Sequence, residues 1–138
     1  MYSFDTKIRV LYADTDIMGF VYYGNYPKYY EIGRTEMIRS LGMPYKKLEQ
    51  MGVMMPVRSM NSNYLKPAHY DQLLTIRTSI KEIPKARMEF FYEIFNEHNE
   101  LIHTGTTTLI FLDMKSNRPV RAPQHLIDKI KPYFEDEV

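Results

Sequence analysis

One segment of the chain carries a clear helical repeat, and strand-like segments lie on both sides of it. Apolar and small residues recur at helical spacing from Tyr26 to Leu41, and Gly42 follows where a helix commonly ends. This spacing predicts one helix of about 16 residues, roughly 24 Å long at the standard rise. Short helical segments are also predicted at Tyr45–Met51 and Pro123–Phe134. A single long helix can cover only one face of a sheet, which restricts how the strands can be arranged.

The other segments show the alternation of apolar and polar residues that is typical of β-strands. The predicted strands are Phe4–Tyr12, Val53–Leu65, one that includes the alternating residues Leu74–Lys81, one that includes Arg87–Ile94, and Leu101–Leu112. Pro56 indicates an edge or a bulge in the second of them, and Asn96–Glu100 forms a polar hairpin loop. Four successive strands of about 10 to 13 residues, joined by short turns, predict an antiparallel meander. The predicted fold class is α+β, with an antiparallel sheet of about five strands.

Both faces of the predicted sheet carry large apolar side chains. Phe91 and Phe95 alternate with Phe90 and Ile94, so the two pairs lie on opposite faces. One helix leaves one of these faces without cover. Homodimerisation is the simplest way to cover it, and we therefore expect a homo-oligomer.

Composition excludes several classes of function. The 138 residues are the size of one globular domain, and 18 Lys and Arg against 17 Asp and Glu give no electrostatic reason for nucleic-acid binding. The absence of Cys excludes disulfides, thiolate metal sites and Cys nucleophiles. The first residues lack a signal-peptide pattern, and no run approaches the roughly 20 apolar residues of a membrane span. We expect a cytoplasmic protein.

The segment from Tyr12 to Tyr26 joins the first predicted strand to the long helix and holds the residues best suited to chemistry. It contains two glycines and two aspartates, Asp14 and Asp16. Glycines allow sharp turns, and the N–H groups at a helix N-terminus carry partial positive charge that can stabilise an oxyanion. An aspartate in such a place is also a common turn or helix-cap residue. A structural role is therefore the alternative for Asp16.

Metal sites and other common active sites find little support in the sequence. A calcium loop that began at Asp14 would need an oxygen ligand at its fifth position and a Glu at its twelfth, where this chain has Met18 and Asn25. The four histidines are scattered, without zinc-ligand spacing. No Gly-x-Ser-x-Gly elbow and no Walker loop are present. We therefore expect no metal site and neither a serine hydrolase nor a P-loop enzyme.

Three stretches of the sequence resemble hotdog-fold acyl-CoA thioesterases of the 4-hydroxybenzoyl-CoA thioesterase type. They are Asp14-Thr15-Asp16-x-x-Gly19-x-Val21-Tyr22-Tyr23-x-Asn25-Tyr26, Tyr30-Glu31-x-x-Arg34-Thr35-Glu36 and Tyr64-Leu65-Lys66-Pro67-Ala68-x-x-Asp71-x-Leu73. The similarity extends from about Lys7 to Arg118. It implies a hotdog fold, in which an antiparallel sheet wraps around one long central helix, in a single thioesterase domain of residues 1–138. It also implies hydrolysis of an acyl-CoA or acyl-ACP by a homodimer or a dimer of dimers. A non-catalytic acyl-thioester-binding protein of the same fold is the alternative.

The resemblance also implies roles for single residues. Asp16 corresponds to the catalytic carboxylate, either nucleophile or general base, and the backbone amide of Tyr23 to the donor that polarises the thioester carbonyl. The substrate-binding residues expected by position are Gly19, Val21, Asn61, Lys85 and Arg87, the last two as ligands of the CoA phosphates. Asp14 is expected to structure the loop through hydrogen bonds. No cofactor is expected, because CoA is part of the substrate.

Overall fold

The computed structural model describes residues 1–135, in which an antiparallel sheet packs against one long helix. The helices are α1 (Tyr26–Ser40), α2 (Tyr45–Gln50) and α3 (Gln124–Ile130). The strands are β1 (Tyr2–Arg9), β2 (Val53–Met54), β3 (Val57–Tyr64), β4 (Leu73–Ile80), β5 (Arg87–Phe95), β6 (Leu101–Asp113) and β7 (Pro119–Val120). Residues 136–138 of the predicted domain lie outside the described residues.

The long helix α1 confirms the prediction made from the helical repeat. It has 15 residues, with a proline in its first turn, and Gly42 after its end has a φ of +80°, which glycine adopts without strain. The helix packs against β1 and β4. A Cβ on Gly33 would lie 2.5 Å from the hydroxyl oxygen of Thr78, so the glycine allows the helix to approach β4 closely. The apolar face of α1 therefore forms one side of the core.

The strand order differs from the predicted meander. The strands pair in the order β1-β4-β5-β6, and β3 pairs with the far side of β6. Only β4, β5 and β6 form a meander. The other edge of β4 is occupied by β1, so β3 takes the free edge of β6. The predicted position of β3 next to β4 is therefore wrong.

Within residues 1–135 the sheet has seven strands, which corrects the prediction of about five. The additional strands, β2 and β7, have two residues each and are too short to show an alternating pattern. Pro56 has no N–H to donate, and it separates β2 from β3 within the predicted strand Val53–Leu65. The strands β3, β4 and β5 have 8, 8 and 9 residues and are shorter than predicted, whereas β6 has 13.

The two faces of the sheet differ in burial as the alternation predicted. Phe90 and Ile94 are fully buried under the helix, and Phe91 and Phe95 are half-buried on the other face. The edge strand β3 is more open, since seven of its eight residues are exposed.

Within residues 1–135, no helix has the length and apolar character needed to span a lipid bilayer.

Candidate active site

Asp16 lies in a tight turn between β1 and α1. Its N–H donates to the carbonyl of Phe20 (2.8 Å), and its carbonyl accepts the N–H of Gly19 (3.0 Å), whose φ is +83°. The carboxylate oxygen Oδ1 accepts the N–H of Met18 at 2.9 Å. The turn role considered as the alternative for Asp16 is therefore present. It uses one carboxylate oxygen, and among the described residues the other has no hydrogen-bond partner, so it is available for chemistry.

A surface cavity of about 320 Å³ opens beside this turn. Its lining residues come from the loop, the start of α1, the end of β3 and the segment that follows β3; they are Asp16, Phe20, Val21, Tyr23, Tyr26, Tyr64, Leu65, Lys66 and Pro67. The structure thus brings together three residues predicted from the sequence: Asp16, Val21 and Tyr23. Gly19 belongs to the same turn but does not line the cavity. The volume is near the lower end of the range for small-molecule sites.

Tyr23 begins the helical turn that leads into α1. This turn spans Tyr23–Asn25 and continues directly into the helix at Tyr26. As the first residue of the turn, Tyr23 has no acceptor for its N–H within the helix, and the helix dipole adds partial positive charge there. The hydroxyl of Tyr64, from the end of β3, donates to the Tyr23 carbonyl at 3.2 Å. Tyr64 therefore holds the peptide unit that directly follows the Tyr23 N–H.

Asp14 fastens the loop to the helix, as expected from the sequence. Its buried carboxylate accepts hydrogen bonds from the Lys28 ammonium, the Leu11 N–H (3.0 Å) and the Tyr29 hydroxyl (3.1 Å). Its backbone carbonyl accepts the side-chain amide of Asn25 at 2.7 Å. Burial by itself raises the pKa of Asp14, but these hydrogen bonds outweigh it, so the pKa lies below the usual value for aspartate. Asp14 is therefore an ionised structural residue.

Replacing Asp14 by Asn is expected to lower the free energy of unfolding by about 1–3 kcal/mol at pH 7, because the variant loses charged hydrogen bonds. A group with a lowered folded-state pKa stabilises the protein above its unfolded pKa, about 4, and that stability is lost as the pH falls through the folded value. The difference between wild type and Asp14→Asn should therefore shrink below about pH 4. Urea unfolding across this range measures it, with exposed Asp128→Asn as the control. A difference that is independent of pH would contradict the assignment.

His103 lies behind the cavity, in β6, and sequence analysis did not single it out. Its buried ring stacks on Tyr26 (centroids 4.1 Å apart) and meets the edge of Tyr64 (4.8 Å). Its Nε2 bonds the Tyr30 hydroxyl. Burial lowers the pKa of His103 to about 4, so the ring is neutral at physiological pH. Alternation along β6 places His103 on the same face as Gly105, under the helix. This alternation is the sequence signal that could have identified His103 as buried.

The other predicted substrate-binding residues lie away from this cavity. Asn61 is exposed on β3, three residues before Tyr64, or about 10 Å along the strand. Arg87 is exposed at the start of β5 and Lys85 is exposed two residues before it, whereas the cavity lies near the other end of β5, about 23 Å from Arg87. One protomer therefore does not bring these two cations to Asp16.

Within residues 1–135, no group of three or more His, Cys, Asp or Glu side chains is placed to hold a metal ion.

Known proteins resemble this chain over nearly its whole length. The sequence model of the Thioesterase-like superfamily matches residues 10–130. YneP from Bacillus subtilis is 37% identical over 115 residues, which are 83% of this chain and 83% of that protein. The acyl-CoA thioester hydrolase YbgC from Escherichia coli is 31% identical, over 93% of this chain and 96% of that protein. The solved structure of the DHNA-CoA thioesterase from Staphylococcus aureus has a TM-score of 0.90 and 33% identity, and covers 99% of this chain and 95% of that one.

Proposed function

The chain belongs to the Thioesterase-like superfamily, and on that basis we propose that it hydrolyses acyl-CoA thioesters with Asp16 as the catalytic carboxylate. The E. coli relative is named as an acyl-CoA thioester hydrolase and the S. aureus structure as a DHNA-CoA thioesterase. The observation that carries the assignment of Asp16 is that Asp16 and Tyr23 line the same cavity. We further propose that residues 1–138 form a single hotdog domain. We also propose that the protein acts in the cytoplasm, where CoA esters are made and used.

The proposed reaction needs few groups. Asp16 either attacks the thioester carbonyl, forming an anhydride that water then hydrolyses, or removes a proton from the water that attacks. Both routes consume one water and give a carboxylic acid and a free thiol. The Tyr23 amide stabilises the negative charge that develops on the carbonyl oxygen. A thiolate leaves readily, because the pKa of its thiol is about 8.5, so no strong general acid is required.

Substrate binding is proposed to involve two subunits. Gly19 shapes the turn, Val21 lines the cavity, and Asn61 extends the site along β3. Lys85 and Arg87 can contact the CoA phosphates only if a second subunit supplies them, because they lie at the far end of the sheet in their own chain. A homodimer, or a dimer of dimers, provides that arrangement.

Association is expected to use the open edge of β3. Three exposed apolar residues lie on this strand, Val57, Met60 and Tyr64, and unpaired strand edges favour pairing with another chain. Light scattering at micromolar concentration should give at least twice the 16.5 kDa mass of one chain. Met60→Lys should shift the mass toward that of the monomer, and the same charge introduced at exposed Gln50 should not. A monomeric wild type would refute this part of the proposal.

The activity is tested by following thiol release from a panel of short, long and aromatic acyl-CoAs. The chain has no Cys, so a thiol reagent detects only the product. Wild type should turn over at least one class of ester, and acyl-ACP is the second carrier to test. No cofactor is added, because CoA is part of the substrate. Binding of CoA without turnover of any ester would instead support a non-catalytic acyl-thioester-binding protein.

A further inference from the structure

One cation lies at the cavity that holds Asp16. Of the nine residues that line this cavity, Lys66 alone carries positive charge and Asp16 alone carries negative charge. The backbone of Lys66 is fixed, because the N–H groups of Leu65 and Lys66 both donate to the carbonyl of Ile102 at 3.0 Å. Its side chain is 56% exposed. The backbone of Lys66 is therefore fixed, and its side-chain ammonium group lies at the solvent side of the cavity.

The Lys66 ammonium is held by a carboxylate from the β5–β6 turn. It donates to Oε2 of Glu100, whose other oxygen accepts the side-chain amide of Asn96 at 3.0 Å. The Glu100 N–H in turn donates to Oδ1 of Asn96, also at 3.0 Å. The contacts with Asn96 within the β5–β6 turn thus orient the Glu100 carboxylate. The pair is exposed, since 44% of the Glu100 side chain is accessible, and exposed ion pairs contribute only about 0–1 kcal/mol. A stronger anion can therefore replace Glu100 at little cost.

The proposed substrate carries such an anion, a phosphate, close to Lys66. A cavity of about 320 Å³ can hold the acyl thioester but not the whole carrier, so the pantetheine arm and its phosphates must lie outside, along the rim. Asp16 and Glu100 both repel phosphate, and Lys66 is the cation placed to offset them. Lysine is a common phosphate ligand, and its hydrogen bonds to phosphate are stronger than those between neutral groups.

Building on the proposed function, we infer that Lys66 recognises the carrier by binding a phosphate of the phosphopantetheine group, and that it exchanges Glu100 for this phosphate when substrate binds. Lys66 is then a substrate-binding residue that selects phosphorylated carriers, distinct from the chemistry at Asp16. CoA and acyl carrier protein share the phosphopantetheine group, so the contact can serve either carrier. Glu100 acts as a substitute ligand that keeps the Lys66 side chain oriented in the free enzyme.

Calorimetric binding of CoA, 4′-phosphopantetheine and pantetheine tests this inference without any need for turnover. Lys66→Gln should weaken CoA binding by about tenfold and leave pantetheine binding unchanged. Lys66→Arg should restore most of the affinity, and Glu100→Gln should bind CoA about threefold more tightly than wild type. Exposed Lys46→Gln in α2 is the matched control for loss of one positive charge. If binding of 4′-phosphopantetheine also weakens, the contact is to the phosphate common to both carriers, as inferred. If only CoA binding weakens, the contact is to the nucleotide phosphates, and the inference is overturned.

Kinetics on two thioesters separate this inference from the proposed function. An acyl-CoA and the acyl-N-acetylcysteamine ester of the same acid share the reacting bond, but only the first carries phosphate. Lys66→Gln should lower kcat/KM about tenfold on the CoA ester alone. Equal losses on both esters, or wild-type affinity for CoA in Lys66→Gln, would overturn the inference while leaving hydrolysis in place. If wild type hydrolyses neither ester, the proposed function fails, and the binding result still decides the role of Lys66.

Discussion

Replacing Asp16 by Asn is expected to lower kcat for acyl-CoA hydrolysis by about 10³-fold, within the usual range for loss of a catalytic acid or base. Asparagine keeps the side-chain oxygen that accepts the Met18 N–H, so the turn should survive. It lacks the negative charge needed to attack a carbonyl or to deprotonate water. Substrate affinity and thermal stability should therefore stay close to those of wild type, and the loss should appear in turnover.

The matched control for this experiment is Asp113→Asn. Asp113 also accepts a backbone N–H in a turn, from Ser116 at 2.8 Å, but it lies at the far end of β6, about 33 Å along the strand from His103. The same chemical change there should leave kcat unaltered. Thiol release under saturating acyl-CoA, with melting curves for each variant, measures both effects. Equal rates for wild type and Asp16→Asn would remove Asp16 from the mechanism.

Replacing Gly105 by Ala is expected to lower the melting temperature by about 10 °C. A Cβ at this position in β6 would lie 2.2 Å from the hydroxyl oxygen of Tyr30 and 2.5 Å from its ring. Tyr30 cannot move aside easily, because its hydroxyl bonds Ser62 (2.7 Å) and His103 and its ring stacks on Tyr92 at 4.4 Å. The methyl group must therefore displace α1 or break this buried network.

Gly24→Ala is the control for that substitution. A Cβ on Gly24 would also be too close to a tyrosine, at 2.6 Å from the ring of Tyr22. That ring is 44% exposed and can rotate away, so the melting temperature should change little. Differential scanning calorimetry compares the two variants directly. Equal melting temperatures for Gly105→Ala and wild type would show that the contact between α1 and β6 is more compliant than its geometry indicates.

The parts of the fold that were predicted are those encoded by local periodicity. The helix from Tyr26 could be predicted because its repeat is long and Gly42 marks its end. The position of β3 could not, because alternation shows that a segment is a strand but does not show which strand it pairs with. The strands β2 and β7 have two residues each and are below the length at which any pattern is visible.

The residues of the candidate site also divide into those that local sequence predicts and those that depend on strand pairing. Asp16, Val21 and Tyr23 lie within eight residues of one another, so a short stretch of sequence brings them together before folding is considered. Tyr64 and Lys66 reach the cavity only because β3 pairs with β6, and that pairing was not predicted. His103 enters through the same pairing, opposite Tyr64. Contacts that depend on strand order were therefore the ones missed.

Under the proposed mode of association, the hydrogen bond from Tyr64 to the Tyr23 carbonyl links subunit association to catalysis. Tyr64 ends the strand whose open edge is the proposed meeting point with a second chain, and its partner, Tyr23, is the proposed oxyanion donor. A neighbour that orders β3 also orders the donor. Coupling between two binding events is reciprocal, so a reaction intermediate held by the donor must tighten the association of subunits to the same degree. Specific activity per chain then depends on protein concentration, and substrate protects the assembly against dilution.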